Sequence, residues 1–374
     1  MADCPLPLDT LPKPLHRHVD AKAPLPLRMM GAKNSVPAVA PTDQVTLLYF
    51  LSFDPDEGVR GEAARTAEGL PDRIFGVALR AEDVPPAVLD WLADRFASKD
   101  AALELILLNP QTSDDTVARL APRVSQPLAD IVRQNELRIL RCEAIIRGLC
   151  QNPNALASTV DGACDFCVRN GLTLLDVPQL VAAHKRVHGV DPKPQPEEDT
   201  AEKLMAEYQA ELAQEQTPLL RAETEEERTK KLTITQRIVK MSVAEKIKLA
   251  TLGNKEARTI LLRDANKLVC MAAATSPRIT EGEITMLANS RTTNADVLRY
   301  IYTHRDFLRS YALRLSLVKN PKVPLPTALR FLQSLQERDI KELARDRNVP
   351  QTVMAQAKAY VMKKEAAMKG KADK

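Results

Sequence analysis

The stretches ALELILLNPQTSDDTVARLA (residues 102–121) and ALRLSLVKNPKVPLPTALRFL (residues 312–332) align with one another once one residue is inserted, and their reading decides the fold. Each reads as an amphipathic helix that stops at Asn-Pro, with a second helix starting a few residues later. Proline stops the first helix because it has no N–H and its ring collides with the preceding turn. Asparagine tolerates the left-handed conformation that commonly closes a helix. The same punctuation stands at Asn152-Pro153 and, with serine for asparagine, at Ser276-Pro277. Pro110 and Pro153 are 43 residues apart, and Pro277 and Pro321 are 44 apart, a period in the range of two-helix repeats. Helix starts accompany the stops. Ser113, Asp114 and Asp115 are capping candidates before Val117, and Thr280-Glu281-Gly282-Glu283 has the form of a capping box.

Outward from these stretches the pattern stays helical. VLDWLADRF (Val88 to Phe96) places Val88, Leu89, Trp91, Leu92 and Phe96 on one side, and Pro85-Pro86 before it suits a helix start. No alternation of apolar and polar residues is long enough to make a sheet. The 374 residues suffice for two folded units, with a core built from Leu, Ala, Ile and Val because only 4% of residues are aromatic. The expected fold is all-α, a HEAT-like α-solenoid of two helical-repeat modules joined by an acidic linker.

Composition sets the expected boundaries. Residues 1–41 hold eight prolines and read as a Pro-rich disordered arm. A first repeat module covers 42–190, an acidic linker 191–229, a basic second module 230–362, and a basic tail 363–374. Residues 1–190, 191–227 and 228–374 carry charges of −4, −9 and +17, so the net charge of +4 conceals an acidic half and a basic half. No apolar run reaches the roughly 18 residues of a membrane span. The N-terminus shows no basic stretch followed by an apolar one, so no secretory signal is expected. Six cysteines in a chain of this length fit thiols in a reducing, cytoplasmic compartment.

FDPDEGVRGEAA (Phe53 to Ala64) resembles the inter-helix turn and second helix of a HEAT repeat, through Asp54, Pro55, Val59, Arg60 and Ala63. The resemblance implies that Asp54 and Arg60 form a structural pair that bonds between neighbouring repeats. The Asn-Pro punctuation also resembles variant leucine-rich helical repeats, and the segment 253–269 is similar to regions of uncharacterised bacterial proteins. None of these resemblances implies an activity.

Cys164-x-x-Cys167 with His184-x-x-x-His188 offers two thiolates and two imidazoles, enough for a tetrahedral zinc site. The 16 intervening residues exceed the usual spacing of about 12 to 15 in a Cys2His2 finger, and no hairpin holds the cysteine pair. The expectation is therefore no metal and no cofactor, with buried core cysteines and a solvated histidine pair. A four-thiolate iron-sulfur site at Cys142, Cys150, Cys164 and Cys167 matches neither ferredoxin spacing. No phosphate loop, dinucleotide fingerprint, nucleophile elbow or metalloprotease motif occurs, so a non-enzyme is expected.

The basic half supplies candidate contacts to a partner or a polyanion: Lys246, Lys248, Lys255, Arg258, Arg263 and Lys267, then Arg299, Arg309, Arg314, Lys319 and Lys322. Its few aromatics, among them Tyr300, Tyr302, Phe307 and Tyr311, suggest no base-stacking platform. The expected function is a scaffold or adaptor binding protein partners, with nucleic-acid binding through the basic half as the alternative.

Overall fold

A computed structural model describes residues 4–192, 234–346 and 348–372, with side chains to residue 363, and the described residues are helices and turns without a strand. Backbone contacts divide the chain into two units, Met1–Arg169 with Thr173–Lys193, and Asn170–Leu172 with Pro194–Lys374. No helix among the described residues is long and apolar enough to cross a membrane. The acidic linker expected at 191–229 lies, beyond residue 192, outside the described residues.

The first unit contains α1 (Leu25–Ala32), α2 (Pro41–Leu51), α3 (Glu57–Glu68), α4 (Asp72–Ala78), α5 (Pro86–Arg95) and α6 (Asp100–Leu108). It continues with α7 (Asp114–Leu120), α8 (Gln126–Gln134), α9 (Glu136–Arg141), α10 (Glu143–Gln151), α11 (Ala157–Arg169) and α12 (Pro178–His188). In the second unit a helical stretch at 234–240 precedes α13 (Val243–Leu252), α14 (Lys255–Leu261), α15 (Lys267–Ala274), α16 (Glu281–Asn289) and α17 (Ala295–Thr303). It ends with α18 (Tyr311–Lys319), α19 (Leu325–Leu332), α20 (Glu337–Leu343) and α21 (Gln351–Ala372).

The helix starts follow the sequence closely. Pro41, Pro86 and Pro178 open α2, α5 and α12, where the missing N–H costs nothing. Ser113 accepts the Thr116 N–H, and Thr280 with Glu283 forms a complete capping box. In α5 Val88, Leu89 and Leu92 are fully buried. Helices pack on near neighbours in the chain, often the next but one: α2 on α4, α4 on α6 and α6 on α8 in the first unit, where α7 also packs on α10, and α13 on α15, α15 on α17 and α16 on α18 in the second. Gly148 lets α10 approach α7, since a Cβ there would stand 2.9 Å from Pro122 Cδ and 3.2 Å from the Ala118 carbonyl.

The turns that end these helices are joined to one another. Asn320 accepts the Lys322 N–H at 3.0 Å, while its amide donates to the carbonyls of Ala288 (2.6 Å) and Ser290 (3.0 Å) at the end of α16. Asn109 does the same toward Leu79 and Ala81 after α4, and Asn152 toward Ala121 and Val124 after α7. In each case the amide satisfies carbonyls left without a helical partner. In the second unit Asp264, Ser290, Asn320 and Asp346 each accept the N–H two residues on. They are 26, 30 and 26 residues apart.

This step differs from the 43- and 44-residue spacings of the prolines. Ser276 reaches Thr251 at the end of α13, whereas Asn320 reaches the end of α16. Asn109 and Asn152 likewise bond to the ends of different helices, α4 and α7. Each matched pair of prolines thus marks turns in two different rows. The spacing within a row is the shorter one.

One expectation changes. Residues 4–41 are not a disordered arm: short 3-10 turns at Leu8–Thr10 and Lys13–His18 lead into α1. Leu11, Leu15 and Val19, four residues apart, are buried, and His18 bonds through Nδ1 to the Leu27 carbonyl at 2.9 Å. The prolines set the φ of these turns and do not prevent burial. The backbone of α21 runs from Gln351 into the basic tail as far as Ala372.

Candidate functional site

The cysteine and histidine set is split by helix faces. Cys164 and Cys167 lie on the inner face of α11 and are fully buried. His184 and His188 lie on the outer side of α12, with ring centroids 4.7 Å apart and His184 Nδ1 bonded to the Val190 carbonyl at 2.9 Å. Among the described residues no group of three or more His, Cys, Asp or Glu side chains is placed to hold a metal ion. The neighbour of Cys164 is Cys150, with sulfurs 3.6 Å apart. Burial pushes the Cys167 thiol up to about 12, with the nearby Cys150 adding to the shift.

Asp54 and Arg60 meet through the backbone. Arg60 donates to the carbonyls of Asp54 (2.7 Å) and Pro55 (3.0 Å), and the buried Asp54 carboxylate pairs with Arg28 of α1. The implied side-chain pair is therefore Arg28–Asp54, from a segment whose sequence gave no sign of folding. A further buried cation escaped the sequence reading. Arg138 donates to the carbonyls of Asn109 (3.1 Å) and Pro110 (3.3 Å), so α9 clamps the Asn-Pro turn. Its pKa is lowered by burial against the opposing pull of Asp114.

Many of the eleven basic candidates hold parts of the fold together. Lys246 pairs with Asp264 (3.1 Å), Lys267 with Asp296 (2.7 Å), Arg309 with Asp306 (3.2 Å) and Lys319 with Asp346 (3.8 Å). Arg258 and Glu283 form a bidentate pair inside the unit, at 2.9 and 3.2 Å, with side chains only 4% and 3% exposed. Lys322 donates to the carbonyls of Thr292 and Thr293, Arg263 to the Met286 sulfur, and Arg314 lies over Tyr311 at 5.6 Å. Lys248 is half-buried, while Lys255 and Arg299 are exposed.

One grouping differs from the sequence reading. Tyr300 and His304, one turn apart at the end of α17, have ring centroids at 4.2 Å, and Phe307 stacks on His304 at 5.3 Å with planes 29° apart. The three rings are half-buried, and Arg299 and Arg305 nearby in the chain are exposed. Only the His304–Phe307 pair is stacked; Tyr300 is tilted 49° to His304 and stands edge-on to Phe307. The signal was the spacing Tyr-x-x-x-His-x-x-Phe, which crosses from a helix into a turn and so has no simple period.

No protein-family model, curated protein or solved structure matches the chain.

Proposed function

We propose that the chain is a non-catalytic scaffold, each unit a HEAT-like α-solenoid of short helix pairs, that binds protein partners across several successive steps. The observation that supports this reading is the row of like turns at Asp264, Ser290, Asn320 and Asp346, each closed by the same bond to the N–H two residues on and one at the end of every second helix. A stack of like units buries a continuous core and leaves a long face exposed, so affinity is spread along it. Six unbridged cysteines suit a reducing compartment such as the cytoplasm.

The test is capture of partners from extract by the full chain, with nuclease present, followed by binding measurements on a recovered protein. Exposed-residue substitutions in two separate steps are expected each to weaken binding by about two- to tenfold. Turnover of a substrate, dependent on any one residue, contradicts the reading.

The Tyr300–His304–Phe307 ring cluster favours a second reading, binding of single-stranded nucleic acid by the second unit. Stacking on an aromatic contributes about 1–3 kcal/mol per base. Tyr300→Ala in the full chain should therefore weaken binding of a labelled oligonucleotide by about fivefold or more, with affinity that falls steeply as salt rises. Equal binding by wild type and variant, or none at low salt, removes this reading.

A further inference from the structure

We propose that Cys150 and Cys164 form an oxidative modification site, in which hydrogen peroxide converts the two thiols to a disulfide that ties α10 to α11. The sulfurs already stand 3.6 Å apart, so a shift of about 1.5 Å brings them to bonding distance. They occupy consecutive helices and are 14 residues apart in the chain. The bridge would close a short loop without crossing the unit.

The two thiols are not equivalent. Cys164 is fully buried, while Cys150 is half-buried and within reach of a small oxidant. The two thiols share a hydrogen bond that either can donate, and once Cys150 is ionised the donor is Cys164. That hydrogen bond favours the Cys150 thiolate over the opposing effect of burial, and it holds the Cys164 thiol well above the ordinary cysteine value. Cys150 is therefore the attacking sulfur and Cys164 the resolving one. In the first step the Cys150 thiolate attacks peroxide, the O–O bond breaks, and a sulfenic acid forms with release of hydroxide. In the second, Cys164 attacks the sulfenic sulfur; the S–O bond breaks, the S–S bond forms, and the Cys164 proton leaves in water. Two thiols lose two electrons in all, and one peroxide is reduced to two waters.

Cys150 also sits where the unit is pinned. Its carbonyl accepts from the Gln179 side chain at 3.2 Å, and Asn152, two residues on, holds the carbonyls of Ala121 and Val124. Cys167 lies on the same buried face of α11, but the 3.6 Å sulfur contact of Cys150 is with Cys164, which assigns the bridge to that pair.

The experiment treats the full-length protein with a slight excess of hydrogen peroxide, alkylates the remaining thiols and maps the peptides by mass spectrometry. The expected result is a mass loss of about 2 Da, a Cys150–Cys164 cross-link, four alkylated cysteines where the untreated chain has six, and full reversal by dithiothreitol. Cys150→Ser should form no cross-link and keep Cys164 reduced. A Cys150 that proceeds to sulfinic acid without a cross-link, or a bridge that joins Cys164 to Cys167 or to Cys142, overturns the proposal.

Discussion

Replacing Glu283 with Gln should lower the stability of the second unit by about 3–5 kcal/mol, because it strands the Arg258 guanidinium inside the protein without its counter-charge. For a unit of this size that corresponds to a fall of roughly 10 °C in melting midpoint, read by circular dichroism on the full chain. The pair is bidentate and almost wholly removed from water, and Glu283 also accepts the Thr280 N–H at 2.8 Å and hydroxyl at 2.7 Å. One carboxylate therefore completes a helix cap and neutralises a buried cation. Replacing both partners with apolar residues, as in Arg258→Met with Glu283→Leu, should recover much of the loss, since it removes the desolvated charges together.

The same carboxylate gives a pH dependence of known sign. Burial acts to raise the Glu283 pKa, but hydrogen bonds from Arg258 and Thr280 together with the Arg258 charge outweigh it, and the net shift is downward. A depressed folded-state value means that the contribution is fully present above the ordinary glutamate range and is lost as pH falls through the folded value. Wild type should accordingly lose melting temperature below about pH 4, with Glu283→Gln showing a shallower slope there. A Glu283→Gln protein within about 1 kcal/mol of wild type at neutral pH would mean that the pair is not buried as described.

The second large effect is expected at Asn152. Its amide donates to the carbonyls of Ala121 (2.8 Å) and Val124 (2.9 Å), and its oxygen accepts the Asn154 N–H at 2.8 Å. Asn152→Ala leaves the Ala121 carbonyl and the Asn154 N–H unpaired, and the Val124 carbonyl with only the longer bond from the Asn154 amide (3.3 Å), a cost of about 2–4 kcal/mol that denaturant unfolding of the full chain would report. Asn152→Asp should cost at least as much, because a carboxylate would face two carbonyl oxygens. At Asp264 the choice runs the other way. There the row's neighbour supplies a cation, Lys246 at 3.1 Å, and Asp264→Asn keeps the bond to the Asn266 N–H while losing the charge pair, for about 1 kcal/mol. An Asn152→Asp variant as stable as wild type would show that the amide does not join the turns.

These positions explain which parts of the structure could be read in the sequence. Asn-Pro at 109, 152 and 320 announces a helix stop by local chemistry alone, and Thr280 with Glu283 announces a start. The bond that links one turn to another spans 25 to 32 residues and comes from Asn at 109, 152 and 320 and from Ser at 276. The Asn-Pro and Ser-Pro copies that mark these turns in the sequence stand in different rows, so their 43- and 44-residue spacings differ from the step within a row. The folded start of the chain was hidden for a different reason. Eight prolines outweighed the Leu11, Leu15, Val19 face, and the Arg28–Asp54 pair that docks α1 has no local signature.

The candidate sites were less readable than the fold. CxxC with HxxxH gives residue types and spacing, but not that the cysteines face inward and the histidines outward. The sulfur that approaches Cys164 belongs to Cys150, on the preceding helix. Among the basic residues, sequence cannot separate Arg258, consumed by Glu283, from Arg299, which stays exposed. Burial of the partner is what distinguishes them.

The turns at Asn109, Asn152, Ser276 and Asn320 each tie the end of one helix to the end of an earlier one. Hydrogen exchange followed by mass spectrometry, on the full chain and on Asn320→Ala, tests this directly. The coupling predicts faster exchange in peptides covering 288–294 and 320–324, the two turns that Asn320 joins, with α13 and α14 little changed. Unchanged exchange at 288–294 would contradict it.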